Sequence, residues 1–466
     1  MQTSSPLGFP TATRSSLTKF PAPDSDTLPV QQTSAQAPNR RGLAASGSQP
    51  ASGTAKRSSL SHSFGFWVAG LAFLLNMAFC AVPTPLYAIY AKQEGFSTFV
   101  ITMIYAAFAG GVVLSLFLGG HLSDWYGRKN LLIGALLINV VSGLVFIFEP
   151  SLAGLIVARV ISGISIGLTT ATATAYISEL QALSLSTSVK RAGIIAAAAN
   201  LGGIGVGPLV SGALAEFAPE PLRLPYIVVG SALVVLAVLL TFAPETRSVP
   251  AVDRPPYRPQ RVVLPKNAMR VFFAATTIAL AINAIMGIFT SLAPTFLLTV
   301  MNEPSRWIAG VVVFAAFGSA AVAPILAASW TVSMMLQRSL PILALGLGLF
   351  VTGIFLSSTP LFLVGGVVTG GAAGLGFRAA LGIVAANAPV ATRAEVLSGF
   401  FLGGYVGLSV PVVGLGVATQ LLPREWSVLG FVILALAAAT VAAVIARKAM
   451  RPAEPRGSRL DTSTSR

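Results

Sequence analysis

Charge is what this sequence has least of. Only 10% of its 466 residues are Asp, Glu, Lys or Arg, against 54% hydrophobic. Soluble globular proteins carry roughly 25% charged residues, so this composition cannot clothe a water-soluble domain and implies a bilayer. Cysteine is nearly missing too. Cys80 stands alone, which excludes an internal disulfide framework and a Cys-based zinc site. Two histidines, His62 and His121, are too few for a histidine metal cage. The sequence has no phosphate-binding G-x-x-x-x-G-K-[ST] loop, dinucleotide fingerprint or Ser/His/Asp constellation. It reads as neither an ATPase nor an enzyme, and no metal or cofactor is expected. Acids are the scarcer sign, 15 against 30 basic residues, and none falls near the centre of an apolar run.

What is present is apolar length. About twelve stretches reach the roughly 20 residues a helix needs to cross hydrocarbon. They are 64–91, 97–122, 129–148, 151–179, 190–216 and 223–243, then 270–300, 306–329, 339–358, 360–389, 394–421 and 426–447. The expected fold class is therefore an all-α integral membrane protein of twelve transmembrane helices. A proline-rich linker, 244–269, separates six spans (64–243) from six more (270–448). Residues 1–63, rich in Ser, Thr, Pro, Ala and Gln, and residues 449–466 read as disordered basic tails. The acid-free first twenty residues weakly resemble an organellar transit peptide, but a plain cytoplasmic tail or a misassigned start codon accounts for the same composition.

A net charge of +15 would suggest nucleic acid in a soluble protein. Position argues otherwise. Arg128, Lys129, Lys190, Arg191, the linker arginines, Arg338, Arg393 and both tails fall on one side, against Lys92, Arg223, Arg306 and Arg424 on the other. The positive-inside rule then places both termini in the cytoplasm. The expected location is the plasma (inner) membrane, multi-pass, with no nucleic-acid partner.

The two sets of six spans resemble each other. Val82-Pro83-Thr84-Pro85-Leu86 in span 1 matches Ala293-Pro294-Thr295-Phe296-Leu297 in span 7. Val160-Ile161-Ser162-Gly163 with Gly167 in span 4 matches Val367-Val368-Thr369-Gly370 with Gly374 in span 10. Leu201-Gly202-Gly203 with Pro208 in span 5 matches Leu402-Gly403-Gly404 with Pro411 in span 11. Each pairs span n with span n+6, and because six is even the two copies enter the membrane the same way, as parallel repeats. A substrate site is expected between them, near the membrane midplane.

Three segments carry chemistry. After span 2 comes Gly120-His121-Leu122-Ser123-Asp124-Trp125-Tyr126-Gly127-Arg128-Lys129. Asp124 at a helix C-terminus meets the negative end of the dipole and needs compensation, and Gly127 allows a sharp reversal. Span 4 contains Arg159-x-x-x-Gly163-x-x-x-Gly167, one stripe with a cation at its outer end. An intramembrane Arg costs about 2.5–3.5 kcal/mol, so Arg159 either faces the cavity or snorkels to the outer interface. Span 5 contains Gly203-x-x-x-Gly207-Pro208-x-x-Ser211-Gly212, glycines for close helix approach and a proline that bends the helix.

On these motifs, over roughly residues 64 to 450, the chain resembles the major facilitator superfamily and, within it, the drug and metabolite efflux branch. Trp125 and Ser211 depart from the usual Arg and Gly. The resemblance implies that Gly120, Asp124, Gly127, Arg128 and Lys129, with Glu179, form a gating latch between the halves. It implies coupling or substrate contact at Arg159, and helix packing and bending at Gly163, Gly167, Gly203, Gly207, Pro208 and Gly212. Pro244-Glu245-Thr246-Arg247 looks like that family's ending of span 6 and is read as a landmark without chemistry. Arg378, Asn76 and Asn283 are polar groups in apolar spans, candidates for substrate contact, although an interhelical hydrogen bond explains each asparagine equally well.

The expectation is an alternating-access transporter, a monomer in the lipid bilayer, exporting small organic and drug-like compounds with coupling to protons. The alternative is uptake or facilitated passage of a small anionic metabolite, motivated by Arg159 and Arg378. A membrane-embedded enzyme or scaffold is the remote third. Proton coupling, lacking a central acid, would fall to Asp124, Glu179 or Glu216, or to the substrate itself.

Overall fold

A computed structural model describes residues 52–119, 122–184, 189–247, 268–389 and 392–450. Side chains are described from His62 onward, apart from Ser123, Asp124, Val189, Lys190, Ala394 and Met450. The expected tail 1–51, the linker segment 248–267, the tail 451–466, Gly120 and the side chain of Asp124 lie outside the described residues.

Among the described residues the protein is all helix, with twelve helices long and apolar enough to cross a membrane. Spans 1 to 6 are His62–Glu94, Thr98–Gly119, Arg128–Phe148, Leu152–Leu183, Arg191–Phe217 and Leu224–Thr241. Spans 7 to 12 are Met269–Ser291, Arg306–Leu326, Val332–Phe355, Thr359–Asn387, Glu395–Leu421 and Arg424–Ala449. The helix that carries span 1 starts at Ser52, earlier than the residue-64 start expected from hydropathy. Twelve crossings bring both ends of the bundle to one face, called here the near face; the opposite one is the far face.

Helix ends are set locally where the sequence supplies a cap. Ser151, Ser305 and Thr331 accept the backbone N–H groups of Gly154, Ile308 and Met334 at the starts of spans 4, 8 and 9. Each half has its own apolar core, one built on spans 1 to 6 and the other on spans 7 to 12.

The repeat is visible in how the small residues pack. A Cβ at Gly163 or Gly167 would collide with Phe108 or Ser115 of span 2, and one at Gly370 or Gly374 with Ala316 or Ala320 of span 8. In the same way Gly203 and Gly207 lie against the Leu74 and Ala78 carbonyls of span 1, while Gly407 lies against the Leu280 carbonyl of span 7. Spans 1 and 7 are also broken at matching points. One helix ends at Ala81 and the next starts at Pro83; its counterpart ends at Ser291 and resumes at Ala293. Proline explains the break, because Pro83 and Pro85 withhold the N–H groups that the carbonyls of Phe79 and Ala81 need. The Phe79 carbonyl instead accepts Val82 N–H in a tightened turn of 3.2 Å.

Candidate functional site

The span 1 break places a helix C-terminus inside the bundle, where carbonyls lack partners and the dipole is negative. Arg159 of span 4 meets it there. Its side chain is buried, with 1% of its surface exposed, and its Nη1 donates to the Cys80 carbonyl at 2.6 Å. Three rings enclose the guanidinium: Tyr87 at 5.6 Å, Tyr105 at 5.6 Å and Phe108 at 5.3 Å from ring centroid to Cζ. Ring faces and a helix C-terminus both favour a cation. No carboxylate among the described residues forms an ion pair with it. Arg159 Nε, the Tyr87 hydroxyl and the Ser162 hydroxyl are buried without a hydrogen-bond partner. A buried charged donor thus lies against the Tyr87 ring in an apolar surround, with the unpaired Ser162 hydroxyl one turn along the same helix, an arrangement that suits an oxygen-bearing anion.

The asparagines are placed differently. Asn76, fully buried, donates to Ser165 Oγ at 3.0 Å and Thr169 Oγ1 at 2.6 Å. Its Oδ1 accepts from Asn139 Nδ2 at 2.9 Å. One amide therefore ties spans 1, 3 and 4. Asn283 of span 7 is half-buried and packs its Nδ2 against Gly404 of span 11. Arg378 is exposed toward the near-face end of span 10 and donates to the Pro324 carbonyl of span 8. The structure does not bring Arg378 or either asparagine to Arg159.

At the near face, Arg128 Nε lies 3.3 Å from Glu179 Oε1, and Thr246 Oγ1 donates to the other oxygen of Glu179. Gly127 turns the chain with φ +85 into span 3, which has no side-chain cap of its own. Glu245 supplies one. Its carboxylate accepts Arg128 N–H at 2.9 Å and Lys129 N–H at 3.1 Å, and Tyr176 Oη donates to the Pro244 carbonyl at 2.6 Å. The Pro244–Arg247 segment is therefore more than the landmark expected from sequence: it neutralises the N-terminus of span 3 and staples span 6 to spans 3 and 4. All of these contacts lie within the first half.

The far face joins the halves. Glu216, at the end of span 5, accepts Arg306 N–H at the start of span 8, 2.9 Å, while Arg306 Nη1 donates back to the Ala215 carbonyl at 3.1 Å. Each residue thus answers the dipole of the other's helix. Below them Gly212 faces the Arg306 carbonyl and Gly310 the Pro208 carbonyl. Span 2 meets the second half through Gln420 Nε2 to Ser97 Oγ, 3.1 Å, and Thr290 Oγ1 to Tyr105 Oη, 2.8 Å. The same Tyr105 ring lies over Arg159. The far face is closed above a sequestered cation.

Comparison with known proteins agrees with this architecture. The family model described as Major Facilitator Superfamily matches residues 69–356, well over half of the chain. An uncharacterized MFS-type transporter of Methanocaldococcus jannaschii is 29% identical over 38% of this chain and 44% of its own length. The arabinose-proton symporter of Bacillus subtilis is 31% identical over 26% of this chain and 27% of its own. The chain thus matches less than half the length of either relative. Among solved structures, a D-xylose-proton symporter superposes with a TM-score of 0.65 at 13% identity, over 83% of this chain and 97% of that one. The nucleoside transporter NupG gives 0.63 at 13% identity, over 83% and 99%. At such identity the likeness concerns the fold.

Proposed function

The chain belongs to the Major Facilitator Superfamily, and on that premise we propose that it moves a small anionic organic solute across a bilayer by alternating access, with Arg159 receiving the negative charge. The observation that carries this reading is a guanidinium buried without a carboxylate, its Nε lacking an acceptor and the Tyr87 and Ser162 hydroxyls unpaired as well. Leaving a buried donor unsatisfied costs about 1–3 kcal/mol, a penalty that an anionic ligand removes and a lipophilic cation increases. The near face, where both ends of the described bundle lie, is the cytoplasmic one on the positive-inside argument. Glu179 and Glu216 are engaged in holding helix ends, which favours a proton that travels on the acid group of the solute, with Asp124 as the other carrier.

Export of uncharged drug-like compounds is the second reading, favoured by the sequence of span 5. Gly203 and Gly207 are occupied in packing against span 1, which supports a structural role for that motif alongside any bearing on direction. Counterflow in proteoliposomes tests both readings, using a panel of monocarboxylates, neutral sugars and lipophilic cations with and without a proton gradient. Exchange confined to carboxylates, accelerated by acid outside, is expected. Movement of the cations or neutral compounds alone would overturn the anion reading.

A further inference from the structure

A groove runs along the flank of the protein, away from Arg159. It has a volume of about 700 Å³ and lies between spans 7 and 12, lined by Arg270, Phe273 and Thr277 on one side and Leu434, Val441 and Ile445 on the other. Leu434 to Ile445 on a helix rises about 16 Å, close to half of the roughly 30 Å hydrocarbon core. The groove is thus one leaflet deep. Its charge is confined to one end. Arg270 is exposed at the first turn of span 7. Lys448, exposed in the last turn of span 12, continues the stripe of Val441 and Ile445 at helical spacing. No acid lines the groove.

The other half repeats the arrangement. A smaller groove of about 340 Å³ lies between the near-face ends of spans 1 and 6, lined by Phe64, Trp67, Leu71, Leu236 and Leu239. The guanidinium of Arg191 sits 5.2 Å from the Trp67 ring centroid. Spans 1 and 6 correspond to spans 7 and 12 under the six-span repeat, so the same junction in each half pairs an apolar groove with a cation at the near face.

We propose that the groove between spans 7 and 12 binds an anionic glycerophospholipid of the near-face leaflet, with an acyl chain against Phe273, Leu434 and Val441 and the headgroup phosphate on Arg270 and Lys448. The charge complementarity names the occupant: an apolar trough alone accepts any acyl chain, whereas two cations at the headgroup level select a negative one. Because Arg270 opens span 7, the broken helix that meets Tyr105 through Thr290, the lipid grips an element that must move during transport.

The test is native mass spectrometry of full-length protein released from nanodiscs of phosphatidylcholine with a minority of phosphatidylglycerol. Retained lipid is expected to be enriched in phosphatidylglycerol on the order of tenfold over the bulk ratio. The double variant Arg270→Gln/Lys448→Gln is expected to lose that enrichment. Ala437→Trp, which fills the groove and keeps both charges, is expected to lose the bound lipid altogether. Retention at the bulk ratio, or enrichment unchanged in both variants, would overturn the proposal. Lipid is present in both leaflets of the nanodisc and no solute is transported, so neither the orientation nor the substrate proposed above affects the result.

Discussion

Replacing Arg159 by Met separates a role in transport from a role in folding. The substitution removes one charge-assisted hydrogen bond to the Cys80 carbonyl, a contact of about 1.5–3 kcal/mol. It also removes three ring-face contacts, each about 0.5–2 kcal/mol and not additive. Against this, the protein no longer buries a guanidinium, which relieves about 2.5–3.5 kcal/mol at mid-membrane. Buried charges replaced by apolar groups of similar volume often leave stability unchanged or improved, so Arg159→Met is expected to stay folded, within about 2 kcal/mol of the parent. Transport has no such compensation. Loss of a charge-assisted contact of about 2–3 kcal/mol with the solute lowers kcat/KM by about 30- to 150-fold.

Two assays read the two quantities. Carboxylate counterflow in proteoliposomes gives kcat/KM. Thermal unfolding is followed with a thiol-reactive dye, because Cys80 is the sole cysteine and is buried in the folded state. Arg159→Lys keeps the charge without the planar fork and is expected to fall between. Wild-type kcat/KM in Arg159→Met would refute the reasoning, since a group that touches the solute cannot be removed without effect. Loss of both activity and stability in Arg159→Met and Arg159→Lys alike would assign Arg159 to structure alone.

Other contacts give sharper local outcomes. Glu245→Ala uncaps span 3 and is expected to lower stability by about 1 kcal/mol, read as earlier dye labelling of Cys80 on heating. Gly163→Ala drives a Cβ into the Phe108 carbonyl and is expected to destabilise by about 1–3 kcal/mol. Gly134→Ala, with open space around it, should be neutral or slightly stabilising in the same assay. Tyr105→Phe removes the acceptor that Thr290 finds across the halves, leaving it the Met286 and Gly287 carbonyls of its own helix, while keeping the ring over Arg159. It is expected to weaken far-face closure by about 1 kcal/mol, seen as a larger share of long distances between spin labels at the far ends of spans 2 and 11.

The bundle was legible because its signals are local or periodic. Apolar length located the spans, and the paired Gly163/Gly370 and Gly167/Gly374 neighbourhoods followed from repeated small residues that bring helices together. The prolines at 83 and 85 enter the sequence reading only as a repeat match inside a continuous span 1, which draws neither the break they cause nor its consequence. The partner of Arg159 is the Cys80 carbonyl, and a backbone acceptor has no residue type to betray it. Glu245 was misread for a related reason. It caps a helix that begins more than a hundred residues earlier, a pairing set by how span 6 returns to the near face. Asn139 could have been found: a lone amide in span 3 needs a buried partner, and Asn76 was the obvious amide to offer one.

The repeat is symmetric in backbone and asymmetric in chemistry, and that difference bears on how a solute could be released. Both halves break the first helix of the repeat, so both offer freed carbonyls near the midplane. Only the first half answers with a cation. Under the six-span alignment the position of Arg159 falls on Gly366, where an added Cβ would press on Phe289, so the second half fills the equivalent space with a ring. The second half contributes Thr290 instead, which reaches across to the hydroxyl of Tyr105 while the Tyr105 ring rests over Arg159. On the proposed function, Tyr105 belongs to the binding site and to the far-face contact at once. A solute oxygen that attracts the guanidinium must disturb the ring contact, and any rotation of the halves that opens the far face must first break the Thr290 bond. Coupling between occupancy and opening then requires no relay through the bundle, because one side chain holds both contacts.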